Sequence, residues 1–140
     1  MLLGEHDHSL DDKNRLTLPA KLRSELGERV VVTRGLDGCL YVYAAAAWQQ
    51  LAERVGSLDP LSREARTMQR FFFASGSEAE LDKQGRVVIP ANLLAAIGRD
   101  VTVIGVFDHL EIWDRAAWRD QRQTVEGSAE DVAERLANRD

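Results

Sequence analysis

An aspartate stands four residues ahead of an arginine at two matching places in this 140-residue chain, Asp11 with Arg15 and Asp82 with Arg86. A guanidinium presents a planar fork of donors that fits a phosphate, or the O6 and N7 acceptors of guanine, with two parallel hydrogen bonds. A carboxylate at that spacing can hold the fork in place across a turn. Lys13 and Lys83 lie inside the two spacings, and Lys21 and Arg23 follow the first. Such a set recognises anions. It does not make or break bonds.

Other chemistries fit the sequence less well. Nucleophilic catalysis needs a Ser or Cys held by a base and an orienting group. Only His6, His8 and His109 could serve as imidazole bases, and neither Cys39 nor any serine lies in a nucleophile elbow. No phosphate-binding loop or dinucleotide fingerprint occurs, so an enzyme is not expected. His6 and His8 alternate on one strand face, but two imidazoles without a third ligand make a solvated or core-edge pair rather than a metal site. No cofactor or metal is expected. Phe71, Phe72 and Phe73 read as core or subunit interface rather than a base-stacking platform, and Trp48 and Trp118 as packing.

The composition, 44% hydrophobic and 29% charged, is that of a folded, soluble protein. A net charge of −5 speaks at first against nucleic acid. Its distribution does not. Residues 11 to 34 carry six basic side chains (Lys13, Arg15, Lys21, Arg23, Arg29, Arg34) against four acidic ones (Asp11, Asp12, Glu25, Glu28), a local +2. Residues 82 to 99 set Lys83, Arg86 and Arg99 against Asp82, again +2. The one cysteine allows no internal disulfide, no apolar run approaches a membrane span, and the first residues carry no leader pattern, so a cytoplasmic location and no membrane partner are expected.

The elements that position these residues are organised by an internal repeat at an offset of 71. Leu10–Leu22 recurs as Leu81–Leu93, and Gly27, Val30 and Val32 recur as Gly98, Val101 and Val103. After a one-residue gap, Leu40, Val42, Tyr43 and Trp48 match Leu110, Ile112, Trp113 and Trp118. In each copy a strand runs into a turn at Asn14 or Gly85, the residue types that best tolerate left-handed backbone angles. The run after it, at 86 to 89 in the second copy, closes a hairpin. Pro19 and Pro90 fit the first position of a two-turn helix, and Gly27 and Gly98 the position past its end. Stretches 30–34 with 39–43, and 101–105 with 109–113, read as two more hairpins, around Asp37, Gly38 and Asp108. Units this small cover each other in one pseudo-symmetric core.

The chain divides into a first repeat (1–52), a helical connection (53–73), a second repeat (74–122) and a C-terminal tail or helix (123–140). Asp59 and Pro60 signal a helix start in the connection. Ser128 with Asp131 resembles a capping box on a thin apolar stripe, predicting a weakly attached or frayed terminal helix.

The pattern running from Asp11 to Pro19 and from Asp82 to Pro90, with its Asp, Arg, alternating apolar residues and Pro, resembles the hallmark of the AbrB and MazE superfamily. Two copies in a chain of this length resemble the MraZ family. The second copy is the nearer match, with Arg70, Phe71, Phe72 and Phe73 ahead of it. The first departs at Asn14, where that family has Gly. The resemblance implies an α+β, mainly β fold: two tandem swapped-hairpin ββαββ repeats forming one pseudo-symmetric β-barrel core with added helices. It further implies a ring homo-oligomer, octamer or larger, that binds double-stranded DNA at short direct repeats upstream of its own division and cell-wall gene cluster, represses that cluster and associates with the nucleoid. The DNA-contacting set would be Arg15, Arg86, Lys13, Lys83, Lys21 and Arg23. Asp11, Asp82, Asn14, Gly85, Pro19 and Pro90 would shape the motif. The alternative from another class is an antitoxin-like or scaffold protein acting through a protein partner.

Overall fold

The computed structural model describes residues 1–139. Strands β1 (Glu5–Ser9) and β2 (Arg15–Thr17), helix α1 (Ala20–Leu26) and strands β3 (Arg29–Arg34) and β4 (Leu40–Ala44) form the first repeat. Helices α2 (Ala45–Gly56) and α3 (Arg63–Ser75) lead to β5 (Ser77–Glu80), β6 (Arg86–Val88), a 3-10 helix (Ala91–Ala96), β7 (Asp100–Gly105), β8 (Leu110–Asp114) and a long α4 (Arg115–Ala137).

Six strands make one antiparallel sheet in the order β1-β7-β8-β4-β3-β5, which reads the same from either edge once the repeats are exchanged. The expected local hairpins between the first two strands of each repeat are not formed as ladders. Instead β1 pairs with β7 of the second repeat, β5 pairs with β3 of the first, and β2 pairs with β6. Each turn keeps two local backbone bonds, from the Asp11 amide to Arg15 O and the Asn14 amide to Asp11 O, and from the Asp82 amide to Arg86 O and the Gly85 amide to Asp82 O. Beyond them the chain crosses over: Leu10 N–H donates to Arg99 O and Leu81 N–H to Glu28 O, both 2.8 Å. The exchanged strands β1 and β5 thereby become the two edges of the sheet, each with alternate residues half-buried.

The expectation of a closed barrel is overturned as well. β1 and β5 are opposite edges of an open sheet, separated by four strands, and the three-residue strands β2 and β6 pair with each other instead of bridging those edges. The ribbon they form lies over the sheet and covers its core. Leu16, Leu18, Leu22, Val30, Val32, Leu40 and Val42 from one repeat meet Val87, Ile89, Leu93, Val101, Val103, Leu110 and Ile112 from the other, none more than 1% exposed. The fold is α+β with tandem repeats and a pseudo-symmetric core.

Several boundaries differ from the sequence reading. Pro19 and Pro90 are N-caps in extended backbone, one residue ahead of their helices. The second helix is a 3-10 helix and ends one residue earlier than its counterpart, at buried Ile97, which is extended. Gly98 is therefore no helix cap. A Cβ there would lie 2.7 Å from Asp114 Oδ1, so any other residue would push that carboxylate aside. Helix α3 starts at Arg63 with Ser62 as N-cap, while Asp59 closes the preceding turn through the Leu61 amide. No helix starts at Ser128, whose hydroxyl donates to Thr124 O inside a continuous α4 capped by Asp114.

The outer face of the sheet is aromatic. Phe72 is buried against Tyr41, Trp48 packs edge-on to Tyr43 and Phe73, and Trp118 lies on Trp113, so these residues pack as expected. No helix among the described residues is long and apolar enough to cross a membrane.

Candidate nucleic-acid interface

The β2–β6 ribbon has two faces because side chains alternate along a strand. Leu16 lies opposite Val87, and both point into the core. The neighbouring pairs, Arg15 with Val88 and Thr17 with Arg86, share the other face. One arginine from each repeat thus reaches the same small surface, related by the pseudo-two-fold axis at the Leu16–Val87 pair. Val88, 55% exposed, stands between them as an apolar contact point.

The two turns hold these arginines identically. Asp11 Oδ1 accepts from the amides of Lys13 and Arg15, and Asp11 Oδ2 accepts from Arg15 Nε at 2.7 Å. Asp82 repeats each bond with the amides of Gln84 and Arg86 and with Arg86 Nε, again at 2.7 Å. The Arg15 amide, its guanidinium and the Lys13 amide hold the Asp11 carboxyl down at about 2, and the equivalent bonds lower that of Asp82. Both carboxylates are therefore ionised at any physiological pH. Each bond uses Nε only, so the two terminal nitrogens of each guanidinium remain for an outside acceptor, apart from a 3.4 Å contact of Arg86 Nη2 with Gln84 Oε1.

Asn14 and Gly85 both adopt left-handed backbone, with φ of 60° and 77°. Gly85 is also where α1 arrives: Arg23 Nη1 donates to Gln84 O, and a Cβ on Gly85 would collide with the Arg23 guanidinium. Arg23 is thus bound to the second turn from the first repeat. The first turn is fastened at a different carbonyl, by a residue the sequence reading leaves out of the site: Arg99, whose Nη1 donates to Asp11 O at 2.7 Å. Arg99 stands in the locally basic stretch, but only the strand exchange brings it to the other turn. Thr17 and Val88 are also absent from the expected set, although the alternation from Arg15 and Arg86 places them on the same face. Lys13 and Lys83 are exposed at the two turns, and Lys21 is exposed on α1.

Burial raises the Cys39 thiol to about 12, and its Sγ donates to Leu36 O, which leaves no thiolate at neutral pH. His109 is packed flat on Tyr43, with Asp108 at 2.7 Å from Nδ1 and Glu111 at 3.7 Å from Nε2. Burial opposes its protonation, but the two carboxylates outweigh burial and raise its pKa. His6 and His8 are half-buried on one face of β1, and among the described residues no three His, Cys, Asp or Glu side chains are placed to hold a metal.

One family model, described as "MraZ protein, putative antitoxin-like", matches the chain twice, over residues 1–71 and again over residues 72–140.

Proposed function

Because the chain belongs to the MraZ family through both of its halves, we propose that it is a DNA-binding transcriptional regulator rather than an enzyme, and that the outer face of the β2–β6 ribbon is its reading head. The observation that carries this reading is the juxtaposition of two identical Asp–Arg clamps, one from each repeat, on a single two-stranded ribbon. Such a ribbon is narrow enough for a major groove. Arg15 and Arg86 make the central contacts to guanine edges or phosphates, and Thr17 and Val88 meet the bases between them. Lys13 and Lys83 supply phosphate attraction at the turns, with Lys21 beside them. Asp11 and Asp82 fix the arginine orientation before DNA arrives, so less side-chain freedom is lost on binding. Arg23 and Arg99 hold the turns.

One ribbon makes few phosphate contacts, and a single protomer binds weakly. A ring homo-oligomer of eight or more chains, set on short direct repeats upstream of the chain's own division and cell-wall gene cluster, multiplies those contacts through effective concentration and represses that cluster at the nucleoid. Titrating upstream DNA and a scrambled duplex by fluorescence anisotropy at several salt concentrations tests the reading. Preference for the upstream DNA, steep weakening with salt, and loss of binding in Arg15→Ala and Arg86→Ala are expected. Binding indifferent to both arginines would sink it.

The antitoxin-like description of the family favours a second reading, in which the chain acts through a protein partner. Co-purification of a small toxin, lost on deletion of residues 123–140, would move that reading ahead.

A further inference from the structure

Helix α4 is 23 residues long, and from Arg122 to Arg139 every side chain except half-buried Ser128 is exposed. At about 100° per residue, Trp118, Val125, Ala129, Val132 and Leu136 fall within an arc of about 60°. The start of this stripe rests on the chain's own sheet, where Trp118 packs on Trp113. Its continuation does not: Val125, Val132 and Leu136 are 46%, 38% and 58% exposed. The charges of the helix divide along its length: Arg115, Arg119 and Arg122, with Asp120, stand in its first half, whereas Glu126, Glu130, Asp131 and Glu134 outnumber Arg135 in the second. The overhang thus presents a thin exposed apolar stripe flanked by net negative charge, and an apolar, basic surface complements it.

The chain carries such a surface on its other half. Helix α3 bears Arg63, Arg66 and Arg70 against the single carboxylate of Glu64. Around it lie Leu58, Leu61 and Phe73, of which Leu61 is 87% exposed. The lengths agree as well, since the overhang from Glu126 to Ala137 and the whole of α3 each run for between three and four helical turns. The alternative of two α4 overhangs lying on each other sets four carboxylates and a single arginine of one against the same set of the other.

We propose that the acidic overhang of α4 docks on the basic, apolar α3 face of a second copy of this chain, seating Val132 and Leu136 against Leu61 and Phe73. The contact joins two different surfaces, so each protomer has one of each to offer and successive copies add head to tail. This supplies a junction for the ring proposed above and rests on that reading.

Sedimentation velocity on three forms of the full chain tests it: wild type, an overhang variant (Val132→Asp with Leu136→Asp) and a face variant (Leu61→Asp). All three substituted side chains are exposed, and circular dichroism checks that the fold survives. Each variant alone is expected to sediment as a single protomer under conditions where wild type is a large assembly. Mixed one to one, the variants retain one intact surface each and form a species of two protomers and no larger. Two outcomes overturn the docking and leave the ring standing: both variants assembling like wild type, or the face variant assembling normally while the overhang variant does not, which is the mark of α4 pairing with α4. A wild type that stays monomeric at every concentration removes the ring reading and the docking together.

Discussion

The two turns that present Arg15 and Arg86 reach one geometry by different means. Both place Nε 2.7 Å from an aspartate oxygen, and both pass through a left-handed residue. At the first turn that residue is Asn14, and the fastening comes from Arg99, next to β7. At the second it is Gly85, and the fastening comes from Arg23 on α1. The position matching Arg23 is Leu94, and the position matching Arg99 is Glu28. What the two copies share is therefore the clamp itself, whereas the support behind it is individual to each. The difference teaches that the carboxylate, the arginine and the turn conformation are the shared unit, while the arginine that fastens each turn, and the carbonyl it reaches, Asp11 O in one and Gln84 O in the other, are not.

The largest test strikes what both turns stand on. Leu16, at the centre of the ribbon, is fully buried. Leu16→Ala is expected to cost about 2–5 kcal/mol in urea unfolding, disturbing both turns at once. The next test separates them. In Gly85→Ala a side chain is forced into left-handed backbone and into Arg23. The expected loss is about 1–3 kcal/mol. Asn14→Gly, by contrast, relieves the same left-handed strain and is expected to leave stability nearly unchanged. Equal costs at the two sites would break the assignment of Gly85 to the Arg23 contact. In DNA titrations, Arg15→Ala and Arg86→Ala should each weaken binding by about 1–3 kcal/mol and by similar amounts. A marked inequality would show that one repeat reads and the other merely supports.

The smallest effect concerns acid. The folded carboxyl of Asp11 is lowered from 3.8 to about 2, so its contribution to stability is fully present above the ordinary aspartate value and disappears as pH falls through about 2. Asp82 follows in the same direction. Wild type should thus lose stability between about pH 4 and pH 2 more steeply than Asp11→Asn with Asp82→Asn, read by thermal unfolding across that range.

Much of this is legible in the residues. The repeat, the left-handed turns at Asn14 and Gly85, and the β3–β4 and β7–β8 hairpins follow from local chemistry, and the structure has each of them. The exchange of strands is not legible from turn chemistry. A turn specifies that the chain reverses, but which ladder the next strand joins depends on apolar surface far along the chain. Arg99 stays hidden for the same reason, since its bond to Asp11 exists only after the exchange. Ser128 misleads because a serine followed by an acidic residue has the same spelling inside a helix as at its start.

The exchange also takes time. Ser9 of β1 finds its partner at Asp100 of β7, 91 residues further along. Chains emerge from a ribosome at about 5–20 residues per second. The first strand therefore waits for roughly 5–20 s with its backbone groups unpaired while the rest of the molecule is made. The β1–β7 ladder can close only after the second repeat has been made, so the edge of the sheet formed by the first residues is among the last parts of the fold to be completed.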